Sequence, residues 1–156
     1  MSLDALLKAR AAADRLLRFR PRSEQELRQR LRDKGYPDPV IDAVVQELTR
    51  KDLLNDQAFA QYYAANRLLL KPMGIRTLQE ELRRKGIAPA VAAQALTKAT
   101  AGYDELTAAR ALAQRRRAAL AGLPSAATQR RLAGFLQRRG FSGEVVYKVI
   151  REVVTR

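Results

Sequence analysis

The chain has 156 residues, and 30 Lys and Arg against 16 Asp and Glu give it a formal net charge of +14. It contains no Cys and no His, which excludes disulfides and removes the commonest transition-metal ligands, nucleophile and general base. These features predict a basic protein that is stabilised by packing alone, is not an enzyme, needs no cofactor or metal, and binds a polyanionic or acidic partner.

The first predicted helix covers residues 4–19, where charged residues interrupt the apolar ones too often for a membrane span. A proline-containing break follows it. Ser23 and Glu26 then form a capping box for a second helix, in which Leu27 and Leu31 lie on one face.

The segment around this leucine pair occurs three times without gaps. The copies are LRQRLRDKGY (27–36), LQEELRRKGI (78–87) and LAGFLQRRGF (132–141), and their glycines are 51 and 54 residues apart. In each copy the glycine follows a cation where the helix should end, which predicts a left-handed C-terminal cap. The apolar residue after each glycine is predicted to fold back into the core; these residues are Tyr36, Ile87 and Phe141.

Another amphipathic helix follows each glycine. The first begins at Asp38-Pro39, an N-cap followed by proline at the first helical position. Its counterparts begin at Ala88-Pro89 and Ser142-Gly143. The valines of the last segment follow helical spacing rather than strict alternation, so a helix is favoured over a strand.

A helix also precedes each leucine pair, and the later two are predicted at residues 56–70 and 104–121. The chain is therefore predicted to be all-α, with three tandem three-helix repeats at residues 1–55, 56–102 and 103–156. Since one such unit buries little apolar surface, the repeats are expected to pack end to end into an elongated, curved array.

Acidic residues near the helix starts are interpreted as structural. Asp56 fits an N-cap or a first-turn acid. The pairs Glu80-Glu81 and Asp104-Glu105 are adjacent in helices and point in different directions, so capping and helix-dipole roles are favoured over Mg²⁺ binding. The chain contains no glycine-rich phosphate loop, and no ATP site is expected.

Three stretches, in this order and spacing, resemble the RecX regulatory proteins over nearly the whole chain. They are RSEQELRQRLRDKG (22–35), LLNDQAFAQYY (53–63) and GIRTLQEELRRKGI (74–87). The third repeat departs most from the pattern, because no acidic residue precedes the second leucine of LAGFLQRRGF (132–141).

The resemblance implies a tandem three-helix-repeat protein that lodges in the groove of a RecA filament on DNA. It implies inhibition of ATP hydrolysis, strand exchange and co-protease functions, and hence modulation of DNA repair and recombination. We expect a cytoplasmic monomer that has no membrane contact and binds single- and double-stranded DNA weakly, without sequence preference.

Cations become more concentrated toward the C-terminal end. Residues 1–55, 56–102 and 103–156 carry net charges of +3, +4 and +7, so the last repeat is the strongest candidate for phosphate contact. Arg67 is expected on an exposed helix face beside Asn66. The candidate filament- or DNA-binding residues are Arg28, Arg32, Lys34, Arg67, Arg76, Arg83, Arg84, Lys85, Arg115, Arg116, Arg117, Arg130, Arg131, Arg138 and Arg139.

Two other functions fit the same pattern. Two short helices joined at a glycine turn resemble a helix-turn-helix, which allows a sequence-specific DNA-binding repressor. A pure adaptor with no nucleic-acid role is the other alternative. A repressor should bind its own DNA sequence far more tightly than other DNA. A filament modulator should bind DNA with little sequence preference and a steep salt dependence. An adaptor should show no salt-sensitive DNA binding.

Overall fold

The computed structural model describes residues 2–154, which form nine α-helices and no strand. The helices are α1 Leu3–Phe19, α2 Glu24–Asp33, α3 Asp38–Arg50, α4 Asp56–Leu70, α5 Ile75–Arg84, α6 Pro89–Ala99, α7 Glu105–Ala119, α8 Ser125–Arg138 and α9 Gly143–Val154. The helices predicted at 4–19, 56–70 and 104–121 are confirmed to within two residues. Met1 and residues 155–156, which belong to the predicted first and third repeats, lie outside the described residues.

Each leucine-pair helix ends in the predicted glycine cap. Gly35, Gly86 and Gly140 have φ of +91°, +81° and +89°. In each case the N–H of the next residue donates to the carbonyl of the leucine four residues before the glycine, over 3.1 to 3.2 Å. This is the Schellman arrangement, which satisfies carbonyls that the end of a helix leaves unpaired.

The first compact unit comprises the described residues up to Tyr63 together with Leu82–Ala95. Its core lies between α1, α2 and α3. Leu27 and Leu31 of α2 are fully buried, as are Ile41 and Leu48 of α3. Buried alanines on α1 let that helix approach the others closely; they are Ala9, Ala12 and Ala13.

The second compact unit comprises Ala64–Glu81 and the described residues from Leu96 onward. Its main core lies between α7, α8 and α9, where Leu132, Leu136 and Phe141 are at most 1 % exposed. The two units divide residues 56–102, the predicted middle repeat, between them. No helix in residues 2–154 is long and apolar enough to cross a membrane.

An acidic residue at the start of one repeat caps a helix of the preceding repeat. In the first unit, the Asp56 carboxylate accepts from the Glu24 N–H, at the start of α2, over 2.8 Å. In the second, the Glu105 carboxylate accepts from the Ile75 N–H, at the start of α5, over 2.7 Å. Asp56 is thus the predicted first-turn acid of α4, but its hydrogen bond goes to another helix, while Asn55 bonds the Ala58 N–H.

A close backbone contact in the second unit requires two glycines. The Gly74 N–H donates to the Arg139 carbonyl over 2.8 Å. A Cβ on Gly74 would lie 2.1 Å from the Gly140 carbonyl atoms, and a Cβ on Gly140 would lie 2.1 Å from Thr77 Oγ1. Both positions therefore admit only glycine.

Tyr103 holds the same region together from the loop before α7. Its hydroxyl donates to the Met73 carbonyl over 2.7 Å and accepts from the Met73 N–H over 3.2 Å. Burial raises the pKa of Tyr103. The phenol therefore stays protonated and can keep donating.

Candidate nucleic-acid interface

Two of the candidate cations in the first repeat are held by carboxylates. Arg28 donates to Asp42 over 2.6 Å and also lies 3.8 Å from Glu24. Arg32 Nε lies 3.3 Å from Asp38. Exposed pairs of this kind stabilise a fold little, but each carboxylate cancels the field of its cation at short range.

Lys85 belongs to a cluster around one carboxylate in the first unit. The Lys85 Nζ lies 3.1 Å from the Glu26 carboxylate and 5.6 Å from the Tyr63 ring centroid. The same carboxylate lies 2.6 Å from the Arg20 guanidinium. Arg22, 5 % exposed, lies 3.9 Å from the same carboxylate. Burial, with Arg20 nearby, lowers the pKa of Arg22. The cluster is a charge network within the first unit, and the sequence pattern did not reveal it.

Arg67 is not on the exposed face that the sequence predicted. It is half-buried, and its guanidinium donates to both Glu81 oxygens, over 3.0 and 2.7 Å. This is the bidentate geometry that a planar guanidinium makes best with a carboxylate. Asn66 is likewise half-buried, so the predicted exposure of both residues was wrong.

The three consecutive arginines on α7 have three different surroundings. Arg115 is exposed. The guanidinium of Arg116 lies 5.1 Å from the Phe135 ring centroid on α8. Arg117 donates to the Val153 carbonyl near the end of α9. Successive helical residues are rotated by about 100°, so a run of like charges on a helix is not one surface.

Four arginines of the last repeat converge on one cleft between α7 and α8. The cleft has a volume of about 390 Å³ and is lined by Arg116, Leu120, Arg130, Arg131, Gly134 and Arg138. None of these arginines lies within 4 Å of a carboxylate among residues 2–154. The structure thus brings together four of the predicted binding residues and leaves their charge unneutralised.

The remaining predicted binding residues lie outside this cleft. Arg139 is half-buried, with its guanidinium 5.5 Å from the Phe135 ring centroid and its Nε without a hydrogen-bond acceptor in the described part of the chain. The other candidates are exposed; they are Lys34, Arg76, Arg83 and Arg84.

Comparison with known proteins identifies the family. Residues 9–48, 55–96 and 103–150 match the models described as RecX first, second and third three-helix domains. The chain belongs to the RecX family. Relatives named regulatory protein RecX include one from Amycolatopsis mediterranei (strain U-32), 36 % identical over 145 residues, covering 93 % of this chain and 82 % of the relative. Another from Thermobifida fusca (strain YX) is 35 % identical over 149 residues, covering 96 % and 80 %.

Solved RecX structures share the fold. RecX from Lactobacillus salivarius superimposes with a TM-score of 0.81 at 22 % identity, covering 99 % of this chain and all of the other. A second structure, of regulatory protein RecX, gives a TM-score of 0.85 at 23 % identity and covers 96 % of this chain and 72 % of the other. The predicted all-α tandem repeat of the RecX type is therefore confirmed.

Two features of the cleft escaped sequence reasoning in this RecX-family chain. Gly134 and Phe135 occupy positions between the repeated leucines, where the pattern says only that a helix continues. A glycine inside a helix was the available signal, because it lowers helix stability and needs a packing or functional reason.

Residues 2–154 contain no group of three or more Asp or Glu placed to hold a metal ion.

Proposed function

We propose that this chain binds the RecA filament assembled on DNA and inhibits its recombinase, ATPase and co-protease activities. The observation that carries the proposal is the match of all three repeats to one family of regulatory proteins. The unneutralised arginines of the last repeat support it, because a filament on DNA offers a regular array of phosphates. In this proposal the chain is a regulator and not an enzyme.

Charge on the helices after each glycine disfavours the repressor alternative. In a helix-turn-helix the second helix enters the major groove, which is lined by phosphates. Here that helix would be α3, where three carboxylates outnumber Arg50, or α6, whose one charged residue is Lys98, or α9, where two glutamates balance Lys148 and Arg151. The four arginines that converge without a carboxylate lie instead on α7 and α8, so the charge distribution favours contact through those helices over a recognition helix.

A pull-down and an ATPase titration test the proposed function. The chain should be retained by RecA filaments on single-stranded DNA far better than by free RecA or free DNA. It should also reduce DNA-dependent ATP hydrolysis by RecA in proportion to the amount added. Equal retention on free DNA, with unchanged ATP hydrolysis, would contradict the proposal; preference for one duplex sequence would support a repressor.

A further inference from the structure

We propose that the α7–α8 cleft is a binding site for the sugar-phosphate backbone of a nucleic-acid strand. Hereafter the arginine cleft means the space lined by Arg116, Leu120, Arg130, Arg131, Gly134 and Arg138. The inference rests on the proposed function, because the RecA filament on DNA would supply the nucleic-acid strand. It adds a defined site and a ligand chemistry.

The charge of the arginine cleft favours binding of an anion. Its four guanidiniums are the only ionisable groups among the lining residues. Like charges that line one cleft repel one another, whereas many other cations are set beside opposite charge in the described structure, as Arg110 is beside Glu152 at 2.5 Å. Binding of an anion would remove this repulsion and desolvate few groups, since the cleft is open at the surface.

One of the four guanidiniums rests on an aromatic ring, and a second lies over a glycine. Phe135 lies 5.1 Å beneath Arg116, a distance at which the aromatic ring attracts the cation. Arg138 folds back over Gly134, so that a Cβ there would lie 3.1 Å from Arg138 Nη1. Fixing a guanidinium before binding reduces the entropy lost on binding, and its planar fork matches phosphate oxygens.

The lining residues suit the phosphates of a strand. The four guanidiniums are the only hydrogen-bonding side chains among them, and they donate but cannot accept, which matches phosphate oxygens. A strand carries roughly one charge per 3.4 Å of helix rise, which offers neighbouring phosphates to neighbouring guanidiniums. We therefore expect binding that is independent of sequence and strongly dependent on salt.

Charge-neutral variants test the site against general surface charge. The cleft variant is R131Q/R138Q, and the matched control is R15Q/R50Q, which removes the same charge from exposed arginines of the first repeat. Fluorescence anisotropy with labelled oligo-dT, without RecA, should show about tenfold weaker binding for the cleft variant and less than twofold for the control. The dependence of log affinity on log salt should fall by about 1.4 for two lost single-strand contacts. Equal effects of the two variants would overturn the proposal.

Filling the cleft without changing its charge gives an independent test. G134L keeps every arginine, and leucine favours a helix more than glycine does. We expect at least about fivefold weaker binding of oligo-dT, with helicity and Tm preserved or raised. A folded G134L that binds like the wild type would show that the cleft is not the site. Should G134L not fold, R131Q/R138Q decides the question.

Competition separates the strand from other anions. Inorganic tripolyphosphate and poly-glutamate, each at matched total charge and ionic strength, should displace oligo-dT far less effectively than unlabelled oligo-dT does. Efficient displacement of oligo-dT by tripolyphosphate alone would overturn the proposal and indicate a site for free polyphosphate. Efficient displacement by poly-glutamate would overturn it and indicate a site for an acidic protein. Because RecA is absent, failure here leaves the ATPase test of the proposed function unaffected.

Discussion

The first and third repeats share one helix plan and differ in what surrounds their cations. Both have a buried leucine pair, a glycine cap and three helices around a core. In the first repeat, Arg28 and Arg32 face carboxylates. In the third, Arg130 and Arg131 line a cleft that no carboxylate enters. The difference teaches that a binding surface on a basic protein is indicated by unpaired charge, and net charge is only a first approximation to it.

The largest expected difference in unfolding free energy is between alanine substitutions at the glycine caps of the first and third repeats. Gly35 and Gly140 have nearly the same φ, but a Cβ on Gly35 meets nothing within 4 Å and one on Gly140 meets Thr77 at 2.1 Å. We expect Gly35→Ala to cost about 1–2 kcal/mol of unfolding free energy from backbone strain. Gly140→Ala should cost about 4 kcal/mol or more, because a clash is added. Urea denaturation measures both, and similar losses would show that Thr77 gives way freely.

The three repeats should lose similar stability when an equivalent core leucine is truncated. The difference between the first and third repeats would then lie in their surface charges. Leu31, Leu82 and Leu136 are each fully buried in equivalent positions. Replacing any one of them by Ala should cost about 2–5 kcal/mol through lost burial and the cavity left behind. A loss below about 0.5 kcal/mol at one position, measured by the same denaturation, would mean that its repeat is not packed like the others.

A smaller effect is expected from the Tyr103 hydroxyl, which bonds the Met73 backbone in the second unit. Tyr103→Phe removes both hydrogen bonds to Met73 and should cost about 1–3 kcal/mol. Because burial raises the pKa of Tyr103 above its ordinary value of 10.0, the folded chain holds this proton more tightly than the unfolded chain. Its contribution is thus complete below pH 10 and is lost as the pH rises through the folded-state pKa.

Unfolding free energies at about pH 8 and pH 11 measure this dependence. Tyr147→Phe is the control, since Tyr147 is a 63 % exposed tyrosine on α9. The wild type and Tyr147→Phe should lose more stability at high pH than Tyr103→Phe does. If all three chains lose the same amount, Tyr103 does not titrate as the structure requires.

The smallest effects test the charge difference itself. Arg28→Gln breaks the pair with Asp42 and should cost about 0.2–1 kcal/mol. Arg131→Gln removes a cation from the arginine cleft and should leave stability unchanged or raise it by up to about 0.5 kcal/mol. Thermal melts at low salt compare the two variants, and added salt should reduce both effects. A greater loss for Arg131→Gln would reveal an attractive partner in the cleft.

Most of the fold could be predicted because its signals are local. Leucines four residues apart, a cation and then glycine determine where a helix packs and where it ends, and three copies of the pattern establish the repeat. The glycine caps and the helix starts depend on neighbours a few residues away. Asp56 shows the limit: its place in the first turn of α4 was predictable, but its bond to the Glu24 N–H, 32 residues away, was not.

The sequence by itself determined the nine helices of residues 2–154, their grouping in threes and the excess of positive charge in the last repeat. Only the tertiary structure decided which cations are neutralised, because a guanidinium sits on a long, flexible stem and its partner is set by the helix packed against it. Arg116 reaches Phe135 and the next residue, Arg117, reaches Val153. The contact of Gly134 with Arg138 is of the other kind, because the two residues are four apart on α8 and meet within one helix.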